Sequence, residues 1–222
     1  MIERTVLLKD AGLTSAGSDA KDFRTALNAI SLAYVWNNKS VNIGNNISST
    51  YGDYYFTDTS HIKIDYFGNS QSYLGINLIT PNGTKRIDFT RGGYCTISIG
   101  KTNKGICICA YSGSNGSRDP HFYNLYIGEI TTLDGITTKG CIYAADDGTL
   151  AIATDDGISS EKAQTSAINA DRTAILAPVV DTTYGNVFKD IYFMRSSPLN
   201  CNIMAVEGQG NFLCGKILCL KD

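Results

Sequence analysis

The sequence predicts a mainly β fold, an antiparallel β-sandwich or barrel-like body that carries one N-terminal α-helix. Two observations lead to this prediction. Apolar and polar residues alternate over many short segments, which is the period of half-buried strands. Turn residues, among them Asp-Gly and Asn-Gly pairs, separate those segments. The composition agrees, because charged residues make up only 18% of the 222 residues, whereas Gly (22) and Tyr (13) are frequent.

The N-terminal part carries the helix. Residues 1–17 are predicted to form a short strand or an N-terminal arm that ends in a turn, and residues 18–36 are predicted to be helical. Ser18 or Asp19 can cap the first turn, where acidic residues are also favoured. Apolar residues then recur at spacings of three and four, so one face of the helix is expected to pack against a sheet. These residues are Phe23, Leu27, Ile30 and Tyr34.

Residues 42–50 are rich in Asn and Ser and are predicted to be a loop. Residues 51–222 are predicted to form the β body, with about ten to thirteen strands. Neither a fixed-period repeat nor a linker divides the chain, so residues 1–222 are expected to be a single domain. The segments before the C-terminal run that read as strands are Ile62–Tyr66, Leu74–Leu78, Lys85–Thr90, Cys95–Ile99, Ile106–Tyr111, Phe122–Ile130, Cys141–Ala145, Leu150–Thr154 and Ala174–Val180.

Some local patterns allow finer predictions. The Ile106–Tyr111 segment is continuously apolar and is expected to lie centrally in a sheet. Tight turns are predicted at Pro81–Gly83, Asp134–Gly135, Asp146–Gly148 and Asp155–Gly157. Residues 161–170 fit either a surface loop or a short helical turn.

The C-terminal run Asn186–Lys221 is predicted to form three strands that close the fold. The first is an aromatic block that ends before Pro198. The second extends over Cys201–Val206, and the third over Asn211–Leu220, after a Gly-rich turn.

Charge and hydropathy exclude two classes of partner. The net charge is −2 and no long basic run is present, so the electrostatic basis of nucleic-acid binding is lacking. No apolar run reaches the roughly 20 residues of a membrane span, and the N-terminus is too weakly apolar for a signal peptide. The seven cysteines are an odd number and lie in apolar patterns. They are therefore predicted to be buried free thiols, and the chain to be made in a cytoplasm.

No cofactor or metal site is predicted. Cys107 and Cys109 would share a face of a strand, whereas Cys214 and Cys219, treated as one strand, would point to opposite faces. Neither pair offers the four convergent ligands of structural zinc. The Asp146–Asp147 and Asp155–Asp156 pairs are read as turns, and a calcium site or a glycosidase-like carboxylate pair is the less favoured reading.

No catalytic residue is assigned, and the chain is predicted not to be an enzyme. It has no nucleophile elbow, P-loop or dinucleotide-binding glycine pattern. His61 lies on the polar side of a strand. His121, beside a flexible loop, is the better candidate for a hydrolase that pairs a histidine with a nearby Cys or Asp. The many Tyr and Asn residues, together with Trp36, leave open a carbohydrate-binding surface.

The C-terminal run resembles the C-termini of virion structural proteins of tailed bacteriophages and prophages of Gram-positive hosts. Their typical order is an aromatic strand, a Ser/Pro turn, a Gly-containing hairpin and a last apolar strand. Here that order is met by Phe188-x-x-Ile191-Tyr192-Phe193, Pro198-Leu199, Met204-x-Val206-Glu207-Gly208 and Phe212-Leu213-Cys214-Gly215. The hairpin is two residues longer than the type.

The resemblance implies a structural subunit of the phage particle, at the neck, collar, tail or baseplate. Its expected partners are other virion proteins and copies of itself, joined in part by exposed strand edges at the two termini. Its expected location is the virion, after synthesis in the host bacterial cytoplasm. The alternatives are a carbohydrate- or host-receptor-binding module of a phage tail tip and, after that, a hydrolase that uses His121.

Overall fold

The computed structural model describes residues 3–11, 27–28, 30–32, 34, 41–45, 49–67, 74–88, 94–113, 121–162, 176–181, 183, 185–194, 202–214 and 217–221. These residues form three antiparallel sheets, and the predicted mainly β class is confirmed. The architecture is sandwich-like rather than a closed barrel. The described strands number seventeen, more than predicted, because Val41–Asn45, Ser49–Tyr55 and Gly157–Lys162 are strands that were not predicted and one predicted C-terminal strand is divided into two.

A seven-stranded sheet has the strand order β1-β7-β8-β9-β10-β11-β12. Its strands are β1 (Glu3–Ala11), β7 (Tyr94–Lys101), β8 (Gly105–Gly113), β9 (His121–Thr131), β10 (Thr137–Ala145), β11 (Thr149–Thr154) and β12 (Gly157–Lys162). For the N-terminal segment the strand alternative is thus correct as far as Ala11, since β1 pairs with β7. The tight turns at Asp146–Gly148 and Asp155–Gly157 are confirmed, because they join β10 to β11 and β11 to β12.

Two five-stranded sheets complete the fold. The first has the order β2-β3-β4-β5-β6 and the second the order β13-β14-β17-β16-β15. Their strands are β2 (Val41–Asn45), β3 (Ser49–Tyr55), β4 (His61–Phe67), β5 (Leu74–Thr80), β6 (Gly83–Asp88), β13 (Leu176–Asp181), β14 (Asn186–Met194), β15 (Asn202–Val206), β16 (Gly210–Cys214) and β17 (Leu218–Lys221).

The seven-stranded sheet lies between the other two, as the alternation along β8 demonstrates. Ile106 and Ile108 belong to a buried cluster shared with the β2–β6 sheet, whereas Cys107 and Cys109 belong to one shared with the β13–β17 sheet. Both faces of β8 are therefore buried, which explains its continuous apolar sequence and confirms its central position.

The N-terminal helix is described only at residues 27–28 and 30–32, with a 3₁₀ residue at Tyr34. Leu27, Ile30 and Tyr34 are fully or almost fully buried, so this part of the predicted apolar face is confirmed. Tyr54 of β3 donates a hydrogen bond to the Leu27 carbonyl (3.0 Å) and packs edge-on against Tyr34. The predicted cap and Phe23 lie outside the described residues.

Two predictions about segments before the C-terminal run are wrong in the part of the chain that the structure describes. Residues 42–45 and 49–50 are not a loop, because Val41–Asn45 pairs with β3 as an edge strand, and this pairing overrides the weak β-propensity of its Asn and Gly residues. Glu161 and Lys162 continue strand β12. The rest of the predicted 161–170 loop or helical turn lies outside the described residues.

The C-terminal run contains four strands rather than three. The predicted third strand is divided into β16 and β17, which form a hairpin in which Cys214 pairs with Cys219. The argument that these two cysteines point to opposite faces of one strand therefore fails. The last strand also lies between β14 and β16, so the expectation of a free strand edge at the C-terminus is wrong.

Candidate functional site

The turn between β9 and β10 exposes two large aliphatic side chains. Leu133 is 67% exposed and Ile136 is 64% exposed, although they lie at the end of the most extensively paired of the described strands. Thr132 N–H donates to the Ile136 carbonyl (2.9 Å), and Gly135 N–H donates to the Thr132 carbonyl (3.0 Å). Gly135 adopts a positive φ of 91°, which confirms the predicted Asp-Gly turn.

The side chain of Thr132 adds further hydrogen bonds within this turn. Its Oγ1 accepts the Ile136 N–H (3.2 Å) and donates to the Asp134 carboxylate. The turn is thus closed by both backbone and side-chain hydrogen bonds. The two aliphatic side chains are consequently presented by an ordered backbone.

The same turn is joined to the β13–β17 sheet. Leu133 N–H donates to the Val187 carbonyl (2.9 Å), and Thr132 forms a β-bridge with Phe188. Val180, which is 37% exposed, is the cross-strand partner of Val187. The turn therefore adds a short extra strand segment along one edge of β14, whereas Val180 lies on β13 along the other edge.

We call Leu133 and Ile136 the tip patch. They are two of the four exposed large hydrophobic residues in the described part of the chain, the others being Leu32 of the helix and Val180 of β13. Single exposed aliphatic residues are common on protein surfaces, but several at one place mark a contact surface. The turn at Asp134–Gly135 was predicted from the sequence, but the exposure of Leu133 and Ile136 was not. An aliphatic residue on each side of an Asp-Gly turn is the sequence signal that could have identified them.

A pocket of about 220 Å³ lies at the opposite end of β9. Its walls combine aromatic, acidic and aliphatic side chains from both the seven-stranded sheet and β6. The lining residues are Ile87, His121, Tyr123, Tyr143, Asp146, Asp147 and Thr149. We call this cavity the His121 pocket.

The carboxylates of Asp146 and Asp147 in the His121 pocket make different contacts. Asp146 Oδ1 lies 3.5 Å from His121 Nδ1, and Asp146 Oδ2 accepts the Phe122 N–H (3.1 Å). Asp147 Oδ1 accepts the Thr149 N–H (2.8 Å) and closes the β10–β11 turn. The structure therefore brings His121 together with an aspartate, as the hydrolase hypothesis requires, and assigns both aspartates a role in the turn.

A cysteine nucleophile is not brought to His121 within the described residues. The described thiols of Cys107, Cys109, Cys141 and Cys219 are buried, as predicted, and none of them lines the pocket. Burial raises the pKa of the Cys141 thiol far above its ordinary value, which disfavours the reactive thiolate. Asn124 donates to Cys109 Sγ (2.8 Å), so this sulfur acts as a buried hydrogen-bond acceptor.

The second acidic pair also serves structure. One Asp155 carboxylate oxygen accepts hydrogen bonds from the hydroxyls of Thr57 (2.6 Å), Thr59 (3.3 Å) and Ser60. This arrangement ties the β11–β12 turn to the β3–β4 turn of a different sheet. Among the residues that the structure describes, no group of three or more His, Cys, Asp or Glu side chains is placed to hold a metal ion.

The outward face of the β2–β6 sheet carries the second histidine. His61 stacks on Tyr55, with ring centroids 4.5 Å apart, on the side of β4 opposite the buried Ile62 and Ile64. Burial lowers the pKa of His61, and burial raises the pKa of Asp53 on the neighbouring strand. His61 and His121 therefore occupy different sheets, and the structure does not bring them together.

A neighbouring group on this face is fully paired. Lys63 Nζ lies 3.6 Å from Asp65 Oδ1 and 4.6 Å from the centre of the Tyr51 ring, and Asn77 donates to Asp65 Oδ2 (2.8 Å). These groups satisfy one another across three strands, as expected for cross-strand pairs. Trp36, the other aromatic residue considered for sugar binding, lies outside the described residues.

The fold and these sites define a layered antiparallel β protein with an exposed aliphatic turn at one end of its central sheet and a small aromatic pocket at the other. Within the described helical residues there is no segment with the length and hydropathy of a membrane span. Comparison of the chain with models of protein families, with curated proteins and with solved structures finds no match.

Proposed function

We propose that the chain is a structural subunit of a tailed-phage particle and that it acts by protein–protein assembly through the tip patch. The observation that carries this proposal is the tip patch itself. Two aliphatic side chains that are each about two-thirds exposed are held on a hydrogen-bonded turn. Burying exposed apolar surface of this kind against a partner lowers the free energy and therefore favours association.

The segment with the family resemblance supports the same proposal. The aromatic strand that begins the resemblance is β14, and its Phe188 forms the bridge to Thr132. The residues that resemble virion proteins therefore anchor the turn that carries the tip patch. This spatial link relates the sequence resemblance to a surface suited for assembly.

Strand edges provide a second means of contact. Among the strands that the structure describes, the outer ones of the three sheets are β1, β12, β2, β6, β13 and β15. An edge strand presents backbone N–H and C=O groups that a strand of a neighbouring subunit can pair with. We expect copies of this chain to form a ring or a trimer. The tip patch of each copy contacts the adjacent copy, either alone or together with an edge strand.

The proposal gives the chain no catalytic role and no cofactor. It places the mature protein in the virion at the neck, collar, tail or baseplate, after synthesis in the host cytoplasm. The partners are other virion proteins and copies of the chain itself.

Particle composition tests this location. Phage particles from the bacterium that encodes the chain would be purified by density gradient and digested for mass spectrometry. We expect peptides of this chain to be enriched with the particle fractions, in amounts comparable to other minor structural proteins. Peptides that remain in the soluble lysate and are missing from every particle fraction would contradict the proposal.

A further inference from the structure

We propose that the His121 pocket binds a single pyranose ring, which is a binding activity separate from assembly. The pocket has about 220 Å³, less than the roughly 300–1,000 Å³ of cavities that take drug-sized ligands. A cavity of this size suits one sugar ring rather than an extended chain. Its lining combines a largely aromatic wall with a few polar groups, which is the usual composition of a ligand site.

The aromatic wall is formed by Tyr123 and Tyr143. Their ring centroids are 6.4 Å apart with an interplanar angle of 29°, and the side chains are 7% and 2% exposed. Both rings are thus fixed by the core. Ile87, from a different sheet, adds an aliphatic surface. Because so little of these side chains is exposed, they form the fixed base of the pocket, and the polar groups of the lining supply the contacts that hold a pyranose.

Three polar groups in the lining remain available to a ligand. Asp147 uses one carboxylate oxygen in the turn, and its second oxygen has no protein partner in the described chain. The Thr149 hydroxyl and His121 Nε2 likewise have no hydrogen-bond partner among the described residues. A carboxylate, a hydroxyl and an imidazole together supply the acceptors and donors that adjacent sugar hydroxyls require.

The charges of the pocket favour a neutral sugar over an ion. Asp146 is already engaged by His121 (3.5 Å) and by the Phe122 N–H (3.1 Å). Within the described lining of the pocket, Asp147 alone therefore retains an unengaged carboxylate oxygen, which is a weak basis for holding a free cation. The same two aspartates repel an anionic ligand.

The pocket and the tip patch are independent sites. Strand β9 has 11 residues, so its two ends lie roughly 30 Å apart at about 3.3 Å per residue. The pocket lies at the His121 end and the tip patch at the Thr131 end. Sugar binding can therefore fail or succeed without affecting the assembly proposal.

The test uses the full chain and four probes: methyl glucopyranoside, methyl galactopyranoside, N-acetylglucosamine and tetramethylammonium chloride. Saturation-transfer NMR would detect binding at about 10 mM, ten times a weak Kd of about 1 mM, and calorimetry would measure the affinity. We expect at least one pyranose to bind and tetramethylammonium not to bind.

Two variants localise the binding. Asp147→Asn keeps an oxygen for the Thr149 N–H but loses the charged acceptor, and Thr149→Val removes the hydroxyl at similar volume. Each is expected to weaken pyranose binding about tenfold. Asp156→Asn is the matched control, because Asp156 occupies the corresponding place in the next Asp-Asp-Gly turn, outside the pocket.

The possible outcomes separate clearly. Loss of affinity in Asp147→Asn and Thr149→Val with full affinity in Asp156→Asn supports the site. The proposal is overturned by three results: no pyranose binds, binding is unchanged in both pocket variants, or tetramethylammonium binds in place of the sugars. Circular dichroism confirms that each variant is folded before its binding is compared.

Discussion

At the scale of single residues, Asn124 joins two sheets through its side chain. It is fully buried on β9, and its Oδ1 accepts the backbone N–H groups of Ile217 (2.8 Å) and Leu218 (3.4 Å) at the start of β17. A buried N–H without an acceptor costs about 1–3 kcal/mol. This one amide therefore fixes where the last strand meets the central sheet.

Asn124→Ala is expected to lower the free energy of unfolding by about 2–4 kcal/mol, because two buried donors lose their acceptor and a small cavity opens. Urea unfolding followed by fluorescence would measure the change. Asn211→Ala, at an exposed strand position, is the control and is expected to change stability by less than about 0.5 kcal/mol. Equal effects of the two substitutions would contradict a linking role for Asn124.

His61 makes stability depend on pH. Burial lowers the pKa of His61 below its ordinary value of 6.5, so between the lowered pKa and 6.5 the unfolded chain binds more protons than the folded chain. The stability that the neutral ring contributes is therefore fully present above pH 6.5. It decreases as the pH falls from 6.5 towards the lowered pKa of His61. Asp53, whose pKa is raised from 3.8 by burial, acts in the opposite direction, because its folded form binds more protons than the unfolded chain above pH 3.8.

His61→Gln is expected to reduce the loss of thermal stability between about pH 7 and about pH 5.5, because glutamine cannot be protonated. Differential scanning calorimetry at several pH values would measure the slope for both proteins. A variant whose melting temperature falls as steeply as that of the natural chain would exclude His61 as the cause.

At the scale of elements, turns hold the sheets together. The Asp155 carboxylate accepts three hydroxyl hydrogen bonds from the β3–β4 turn. Asn82, in the β5–β6 turn, donates to the carbonyls of Asp155 (3.3 Å) and Asp156 (3.0 Å). On the other side, Lys104 pairs with Asp190 of β14 (3.0 Å). Both outer sheets are thus tied to the central sheet by polar contacts as well as by apolar packing.

Asp155→Ala is expected to destabilise the chain by about 1–2 kcal/mol, because the fully buried Ser60 hydroxyl loses its acceptor. Asp156→Ala is the matched control, since the Asp156 side chain makes no hydrogen bond within the described residues. Thermal unfolding of both variants would compare them. The linking role would be refuted by a control that is destabilised as much as Asp155→Ala.

A strand could be predicted where its own residues carry the pattern that specifies it, and not where pairing with another strand specifies it. The alternation of Ile62 and Ile64 with polar residues was sufficient to predict β4, because burial of one face is encoded in neighbouring residues. Strand β2 was missed, because it is specified by pairing with β3 rather than by its own sequence. Cys214 and Cys219 were placed on one strand, because nothing in the local pattern showed the hairpin between β16 and β17.

At the scale of the whole molecule, the central sheet organises the fold and separates two surfaces. Its β8 strand buries both faces, each against a different outer sheet. Its β9 strand has the His121 pocket at one end and the tip patch at the other. Glycine permits the close approach of two sheets at Gly100, where a Cβ atom would clash with Leu213 of β16.

The candidate sites were less predictable than the fold. His121 was identified from the sequence, but its pocket also requires Ile87 from another sheet and Tyr143 from a neighbouring strand. The turn that carries the tip patch is anchored on Val187 and Phe188 of β14, which are distant in sequence. Such sites arise from sheet order, which local patterns do not encode. The single-domain organisation over residues 1–222 remains a prediction.

The central claim is that the tip patch joins copies of this chain, and the most direct test is the molecular mass in solution. Mass photometry would compare the natural chain with the double variant Leu133→Ser plus Ile136→Ser. Leu32→Ser is the matched control, because Leu32 is 74% exposed but lies on the helix, outside the tip patch. We predict a ring-sized or trimeric species for the natural chain and for Leu32→Ser, and a folded monomer for the double variant. A natural chain that is monomeric at every concentration, or a double variant of unchanged oligomeric mass, would contradict the account.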